Sequence, residues 1–450
     1  MALAVVIVLL VVGSLIFHFA SPWYFTPLAS NWSTVDFTVD VTFWVCGIVF
    51  VAVNLFTAYC LIRYRHRRDH KAHYEPESKK LEGGLTAFTA LGVAAMLTPG
   101  LFVWADFVRV PDGALVVEAL GKQWHWSFRF PGGDGVLGRT DVRHMNVDNP
   151  FGMDPEDPAG QDDILVARPE LHLPVDQPIH MLLRSADVLH NFTVPQFRTK
   201  MDLVPGMVTY QWFTPTRAGS YELLCEELCG LAHFAMRGRV VVDETADFDA
   251  WLAEQPTYAE VLALPTGDPA AGTATYAVCS ACHGPQGEGN QQLNAPRIAG
   301  IEPWYLTRQI RHFQEGIRGA DPRDIYGAQM APMARTLASD QMLADVAAYV
   351  ASLPDPAAAD TVIGDPERGR ELYATCAGCH GADGQGNWST NAPRLAGMSD
   401  WYLLRQLENF QQGIRGSHAS DLYGLQMTLL VNTLRDQQSL QDVVAYINTL

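Results

Sequence analysis

The spacing of apolar and polar positions changes twice along the chain. Residues 1–20, 41–62 and 85–107 are near-continuous apolar runs, each long enough to cross the hydrocarbon core of a bilayer. From Ala114 the period becomes two, with β-rich runs at Leu115-Val116-Val117, Gln123 to Phe130, Ile164-Leu165-Val166, Ile179 to Leu183, Tyr221 to Leu224 and Gly238 to Val242. Short strands at this spacing, separated by Gly, Pro and Asp turns, predict a Greek-key β-sandwich. Within it an Asp/Pro/Gly-rich insert, Pro131 to Gln161, reads as an extended hairpin loop. The predicted division is 1–107 for transmembrane helices, 108–246 for the sandwich, 247–264 for a helix-like connector, and 265–354 and 355–450 for two all-α domains. Asp355 to Arg368 reads as the linker between the last two.

Charge supplies the orientation. The formal net charge is -18, yet residues 1–107 hold seven Lys/Arg against seven Asp/Glu, so the whole excess lies in 108–450. An acidic soluble part argues against nucleic-acid binding and suits basic protein partners. Arg63, Arg65, Arg67, Arg68, Lys71, Lys79 and Lys80 crowd between the second and third runs, whereas Ser21 to Asp40 has no basic residue. The positive-inside rule therefore puts residues 63–84 in the cytoplasm and everything after about residue 108 outside. The first run lacks a basic n-region and an A-x-A site, so a retained span is expected.

The eight cysteines sort into three groups: Cys46 and Cys60 in an apolar span, Cys225 and Cys229 in a polar loop, and four in two Cys-x-x-Cys-His motifs. That leaves no disulfide framework. The loop Cys225-Glu226-Glu227-Leu228-Cys229-Gly230-Leu231-Ala232-His233-Phe234-Ala235-Met236 gathers two thiols, an imidazole and a thioether. Thiolate and thioether select copper or zinc over hard cations, and this set suits copper better than a closed zinc site. His190, before a strand-like run, is a second imidazole. Two cysteines four apart on a loop can bridge two copper ions, each taking one histidine and one weak axial ligand; a zinc loop or buried free cysteines are the alternatives.

Cys279-Ser280-Ala281-Cys282-His283 and Cys376-Ala377-Gly378-Cys379-His380 are attachment motifs for c-type haem, with the histidine as proximal ligand. The two halves align without a gap at an offset of 97 residues. Met330 and Met333 both precede the last helix of the first half, but only Met330 has a methionine counterpart, Met427, whereas Met333 maps to Leu430. Met330 and Met427 are therefore the expected sixth ligands for His/Met haems. Trp304-Tyr305 and Trp401-Tyr402 begin amphipathic helices and read as core.

The copper loop, with Asp187-Val188-Leu189-His190 upstream, resembles subunit II of the cytochrome c oxidases, whose CuA centre has the pattern C-x-E-x-C-x3-H-x2-M after D-V-x-H. The resemblance implies a cupredoxin-like sandwich in which Cys225 and Cys229 bridge, His190 shares one copper with Met236, and His233 shares the other with the Glu227 carbonyl. It also implies a Mg²⁺ site, shared with subunit I, for the Glu227 carboxylate. Gly121-Lys122-Gln123-Trp124-His125-Trp126 resembles the family's aromatic stretch, which implies that Trp124 accepts electrons. Glu82 matches a glutamate at the entrance of a proton pathway, although the Trp-rich flank of relatives is replaced by Gly83 and Gly84. Lys200 to Gly206 follows a family stretch near subunit I, with Met207 where arginine is common. The C-terminal half resembles class I and tandem dihaem cytochromes c, through A-P-R-[IL]-A-G after each haem motif. That likeness implies that the Pro296 and Pro393 carbonyls orient the proximal histidines and that Arg297 and Arg394 face haem propionates.

The expected protein is then subunit II of a bacterial haem-copper terminal oxidase in the inner membrane, with its soluble domains in the periplasm. It passes electrons from a periplasmic or membrane-bound cytochrome c or a cytochrome bc-type donor, through two haems c and binuclear copper, to the haem of subunit I, with subunit III alongside. Oxygen reduction, coupled to proton pumping, belongs to a partner, because this chain has no cluster of intramembrane histidines. A nitrous oxide reductase shares the copper ligand order but needs a histidine-rich propeller, and no such segment exists here. A membrane electron-transfer or copper-handling protein without an oxidase partner is the other alternative.

Overall fold

The computed structural model describes all residues except 24–25, 69–70, 72–73, 75 and 355–359, and the side chain at 422. The first part of the expected linker, 355–359, thus lies outside the described residues. Three long apolar helices come first: α1 (Ala2–Ala20), α2 (Ser33–Arg63) and α3 (Lys79–Phe107). Their apolar side chains are almost all uncovered, as bilayer-facing side chains should be. Both α2 and α3 start before the apolar run does. At 1.5 Å per residue the 31 residues of α2 span about 46 Å, so Asp36 and Asp40 stand in the headgroup zone.

Ten strands form the sandwich: β1 (Leu115–Lys122), β2 (His125–Phe130), β3 (Ile164–Val166), β4 (Glu170–Pro174), β5 (Ile179–Ser185), β6 (His190–Val194), β7 (Thr199–Leu203), β8 (Thr209–Phe213), β9 (Gly219–Leu224) and β10 (Arg237–Asp243). They make two five-stranded sheets, β3-β2-β1-β5-β8 and β4-β10-β9-β6-β7, with the β1/β5 and β10/β4 pairs parallel. β4, β7 and β8 have no counterpart among the predicted runs, because their apolar positions alternate with His172, Lys200, Asp202 and Gln211. Trp126, Phe128, Phe130, Met181, Leu223 and Val240 fill the space between the sheets. The predicted strand from Gln123 begins late: Gln123 and Trp124 form the turn of the β1–β2 hairpin, where Lys122 pairs with His125.

β2 is buried on both faces. Its outward residue Arg129 is clamped by Glu118 and by Asp163 at 2.8 Å, and Arg184 meets Glu118 at 2.7 Å. The insert 131–161 closes over these charges rather than standing out as a hairpin. Gly138 O accepts from Arg129 at 2.9 Å, and Phe151 and Met153 pack with Tyr258 in a small second core. Tyr258 belongs to the segment expected to be a connector, which forms α4 (Thr245–Ala253) and α5 (Tyr258–Leu262). Phe248 and Trp251 of α4 pack against the sandwich core, so this segment is fastened along most of its length.

The sandwich is seated on the outer ends of the membrane helices. Arg198 pairs with Asp36 at 2.5 Å, the Trp32 indole donates to Trp212 O at 3.0 Å, and the Trp212 indole donates to Asp106 O at 3.0 Å. The basic residues 63–68 lie at the opposite end of α2. The protein is therefore membrane-anchored with its soluble domains on one side.

Each C-terminal repeat has four helices: α6 (Pro269–His283), α7 (Pro303–Gln314), α8 (Ile325–Ala334) and α9 (Asp340–Ser352), then α10 (Pro366–His380), α11 (Asp400–Gln411), α12 (Leu422–Val431) and α13 (Gln437–Ile447). The first and last helices of each repeat cross where Gly272 touches Asp345 O and Gly369 touches Asp442 O, an approach that leaves no room for a Cβ. The two repeats share one continuous core. Tyr305, expected in that core, packs against it, and both Tyr305 and Tyr402 also bond across the joint between repeats. Arg318 donates to Tyr402 Oη at 2.7 Å and Gln406 at 3.1 Å, while Arg415 donates to Tyr305 Oη at 3.1 Å and Gln309 at 2.9 Å. The second set is the first with the two repeats exchanged.

Candidate metal centre and haem cleft

The loop between β9 and β10 is held closed by the β1–β2 turn. Gln123 and the Trp124 indole both donate to Cys229 O, at 2.8 and 3.1 Å. This packing places Cys225 Sγ and Cys229 Sγ 3.7 Å apart, well beyond a disulfide bond length of about 2.05 Å. His190 Nδ1 lies 4.0 Å from Cys225 Sγ, His233 Nδ1 3.5 Å from Cys229 Sγ, and Met236 Sδ 3.7 Å from Cys229 Sγ. Glu227 O lies 3.2 Å from Cys225 Sγ, while its side chain is half-buried. All six expected ligands thus converge around one sulfur pair, and Cys225, Cys229, His190 and Met236 are buried.

The remaining nitrogen of His190, Nε2, lies 2.8 Å from Asp187 Oδ1, which fixes the tautomer that presents Nδ1 to the sulfurs. Burial opposes protonation of His190, but Asp187 and Cys225 outweigh it and raise the imidazole pKa. A hydrogen bond from Cys229, with help from His190, pulls the Cys225 thiol down to about 3. The same bond, with burial, pushes the Cys229 thiol well up. Two adjacent thiolates repel unless a cation lies between them, so the second proton is released most readily to a metal. The donor set fits soft metal ions.

In each repeat the haem motif forms the last turn of a helix that ends at a glycine with positive φ, Gly284 at 83° and Gly381 at 84°. His283 Nδ1 donates to Pro296 O and His380 Nδ1 to Pro393 O, both at 2.8 Å, leaving each Nε2 as the free coordinating atom. Burial keeps both imidazoles neutral by lowering their pKa, as ligation requires. His283, Met330, His380 and Met427 line one apolar cleft, together with Cys279, Cys282, Cys376, Arg297 and Arg394. Met333 also lines it, whereas its counterpart Leu430 packs on the sandwich. The Arg297 side chain is buried and crosses to Gly397 O of the second repeat, so it belongs to the joint as well as to the cleft.

The second repeat is docked over the copper loop. Tyr423 Oη meets His125 Nε2 at 3.1 Å, Gln426 donates to Trp124 O, and Lys122 lies 5.4 Å from the Trp388 ring centroid. Gly378 touches Leu231, while Cys379, Leu429 and Leu430 pack on the sandwich core. Trp124, whose indole is held by the copper loop at Cys229 O and whose carbonyl accepts from Gln426, is only 3% exposed. The second haem motif is thus brought within one side chain, Leu231, of the loop that carries the copper donors. Glu82 stands at the far end of α3, exposed, and accepts from Ser78 N at 3.2 Å.

Asp187 stands in the D-V-x-H stretch without a role assigned to it there, and Tyr423 and Gln426 were not legible as site residues. The brace of Arg318 and Arg415 left a usable trace, since Tyr305/Tyr402, Gln309/Gln406 and Arg318/Arg415 all match across the repeat.

A cupredoxin-like sandwich with a buried sulfur pair, joined to two haem-binding helical domains and anchored by apolar helices, defines a membrane-bound one-electron carrier. Residues 115–245 match the family described as cytochrome C oxidase subunit II, periplasmic domain, and residues 269–354 and 366–450 each match cytochrome c. The chain is 53% identical over 259 residues to the alternative cytochrome c oxidase subunit 2 of Bradyrhizobium diazoefficiens, covering 58% of this chain and 94% of that protein. It is 36% identical over 173 residues to cytochrome c4 of Azotobacter vinelandii, covering 36% of this chain and 80% of that protein. Among solved structures, the periplasmic domain of cytochrome oxidase subunit II of Bradyrhizobium japonicum aligns at 29% identity and a TM-score of 0.24, over 32% of this chain and 95% of that one. The chain belongs to the cytochrome c oxidase subunit II family and carries two cytochrome c domains at its C-terminal end. It is the copper- and haem c-binding subunit of a haem-copper oxidase and works in association with other oxidase subunits.

Proposed function

We propose that the copper site is binuclear, with Cys225 and Cys229 bridging, His190 and Met236 on one ion, and His233 and the Glu227 carbonyl on the other. The observation that carries this reading is the 3.7 Å sulfur pair with an imidazole nitrogen on each side, 4.0 Å from Cys225 and 3.5 Å from Cys229. Copper and haem c, when bound, supply one-electron centres that change charge with little change in geometry. The chain's own task is to hold those centres rigid, dry and close. Asp187 fixes His190, Gln123 and Trp124 fix the Cys229 carbonyl, and Pro296 and Pro393 fix the two haem histidines.

The axial ligands are Met330 and Met427, which hold the haem potentials high. The order of transfer is external donor, first repeat, second repeat, copper loop, subunit I. The docked second repeat supports that order, because it bonds to the Trp124 carbonyl and packs Cys379 of its haem motif on the core that holds the indole, which then acts as an internal relay. Tethering gives the haem domains a high effective concentration at the copper loop, of order millimolar for a short flexible link. The donor is a periplasmic or membrane-bound cytochrome c or a cytochrome bc-type complex, the membrane is the bacterial inner membrane, and subunit III completes the assembly. Glu227 also offers its carboxylate to Mg²⁺ at the subunit I boundary, and Glu82 stands at a proton-path entrance on the cytoplasmic side.

The domain limits that best fit the packing are 1–107, 108–264 with the connector joined to the sandwich, 265–354 and 355–450. The test is Cys225→Ser and Cys229→Ser in the purified complex. Each should abolish the mixed-valence copper EPR signal and leave both haem c spectra intact; a retained signal in both variants refutes the ligand set.

A further inference from the structure

The second repeat shows which face of this cytochrome fold, the one carrying Cys379 of its haem motif, packs against another redox domain. Cys379, Trp388, Tyr423, Gln426, Leu429 and Leu430 are half-buried there against the sandwich. Shifted back by 97 residues they become Cys282, Gln291, Tyr326, Gln329, Pro332 and Met333. Every one of these six is exposed, and Cys282, Tyr326, Gln329 and Met333 also line the haem cleft, so the face borders the cofactor site. Tyr326 and Met333 are each 40% exposed, even though Arg405 packs on one face of the Tyr326 ring. The first repeat therefore carries an uncovered copy of a surface that, in the second repeat, is engaged with a redox domain.

None of the six residues is charged, although the soluble part of the chain is strongly acidic. The covering surface on the sandwich is mostly of the same character, made by Leu231, the Trp124 carbonyl and the uncharged ring of His125; the buried Lys122 lies over the ring of Trp388, whose place Gln291 takes in the first repeat. Burial holds His125 neutral, lowering its pKa to about 3. We propose that the face around Cys282, Gln291, Tyr326, Gln329, Pro332 and Met333 is the docking surface for the external electron donor. Its occupant is a one-electron carrier protein whose cofactor edge is ringed by uncharged and apolar side chains. The proposal rests on the relay order above and adds the place and the chemistry of the first step: one electron passes from the reduced donor to the first repeat, with no atom transferred. Attraction across an uncharged rim comes from apolar contact, so association depends only weakly on salt.

The test uses the intact oxidase complex and two reduced class I cytochromes c as probes, one with an uncharged haem rim and one ringed by lysines. Equilibrium binding is read by calorimetry and electron delivery by stopped-flow absorbance of haem c. The uncharged donor should bind the wild-type complex with an affinity that changes less than about threefold between low and physiological salt. Gln291→Glu/Gln329→Glu and Gln291→Lys/Gln329→Lys should both weaken it by about tenfold or more, since either sign places an unpaired charge in a contact that excludes water. Unchanged binding in both pairs overturns the proposal. So does tighter, strongly salt-dependent binding of the lysine-ringed donor at this face, or a complex that dimerises through the face and is dissociated by the same substitutions. Internal transfer after reduction by a small mediator is followed in the same samples. Its absence from the wild type refutes the relay order, while the binding result still decides the docking face.

Discussion

Asp187→Asn is the most informative change at the copper loop, because Asp187 touches no metal donor sulfur yet governs how His190 is presented. Three donors converge on its two oxygens: Gln123 N at 2.7 Å, Val188 N at 2.7 Å and His190 Nε2 at 2.8 Å. Burial works against the carboxylate, but these bonds, led by that from His190, hold it below the usual range. Asparagine keeps the shape and turns one acceptor into a donor: if the amide nitrogen replaces Oδ2, Gln123 N loses its partner, and if it replaces Oδ1, Val188 N and His190 Nε2 both lose theirs. Gln123 N and Val188 N can turn to water, but the His190 ring is buried, and an unsatisfied donor there costs about 1–3 kcal/mol. Groups that orient metal-bound histidines typically change metal affinity by about 10–100-fold, which is the same range in free energy at about 1.4 kcal/mol per tenfold. Copper retention in the intact complex, titrated against a competing chelator, should therefore fall by about 10–100-fold. The copper EPR signal at saturating metal should survive with altered hyperfine structure. An affinity within about threefold of wild type would refute the role of Asp187, and with it the case that His190 is held by its Nε2 bond.

Gly369→Ala should destabilise the second cytochrome domain by about 3 kcal/mol and lower its unfolding midpoint by roughly 15 °C, because the new Cβ collides with Asp442 O where α10 crosses α13. Calorimetry of the complex checks this, and an unchanged midpoint contradicts the crossing. Tyr423→Phe with Gln426→Ala removes two hydrogen bonds to the sandwich, at His125 and Trp124, together worth about 2 kcal/mol. The docking equilibrium constant should fall by about thirtyfold, seen as increased hydrogen exchange of the β1–β2 turn; equal protection would contradict the docked arrangement. His172 stacks on Trp251 at 4.3 Å and contacts Asp243 and Glu170, whose pull outweighs burial and raises its pKa. Its stabilisation is complete below the unfolded value of about 6.5 and is lost as pH rises through the higher folded value. Exchange protection of α4 should fall over that window in the wild type and stay flat in His172→Phe.

Chemistry concentrated in short spacing was legible in the sequence. The twelve residues from Cys225 to Met236, both haem motifs and the repeat that selected Met330 over Met333 each carry their meaning locally. The membrane runs were legible because a bilayer demands continuous apolarity. What escaped depends on distant pairs of ordinary residues. Nothing in Phe151, Met153 and Tyr258 announces that an Asp-rich insert and a connector meet in one small core. Trp124 lies in a turn, not a strand, because the hairpin needed two residues there, and an aromatic pattern cannot show that. The docking of Tyr423 on His125 joins residues 298 positions apart, so only the folded chain reveals it.

The central claim is that the haem domains feed the copper loop within one molecule. The direct measurement is the oxidation of haem c in the pre-reduced complex after mixing with oxygen, followed by absorbance with no soluble cytochrome present. Fast oxidation of both haems, at a rate independent of protein concentration and nearly independent of salt, is the predicted result. Haems that stay reduced until a soluble carrier is added would contradict it.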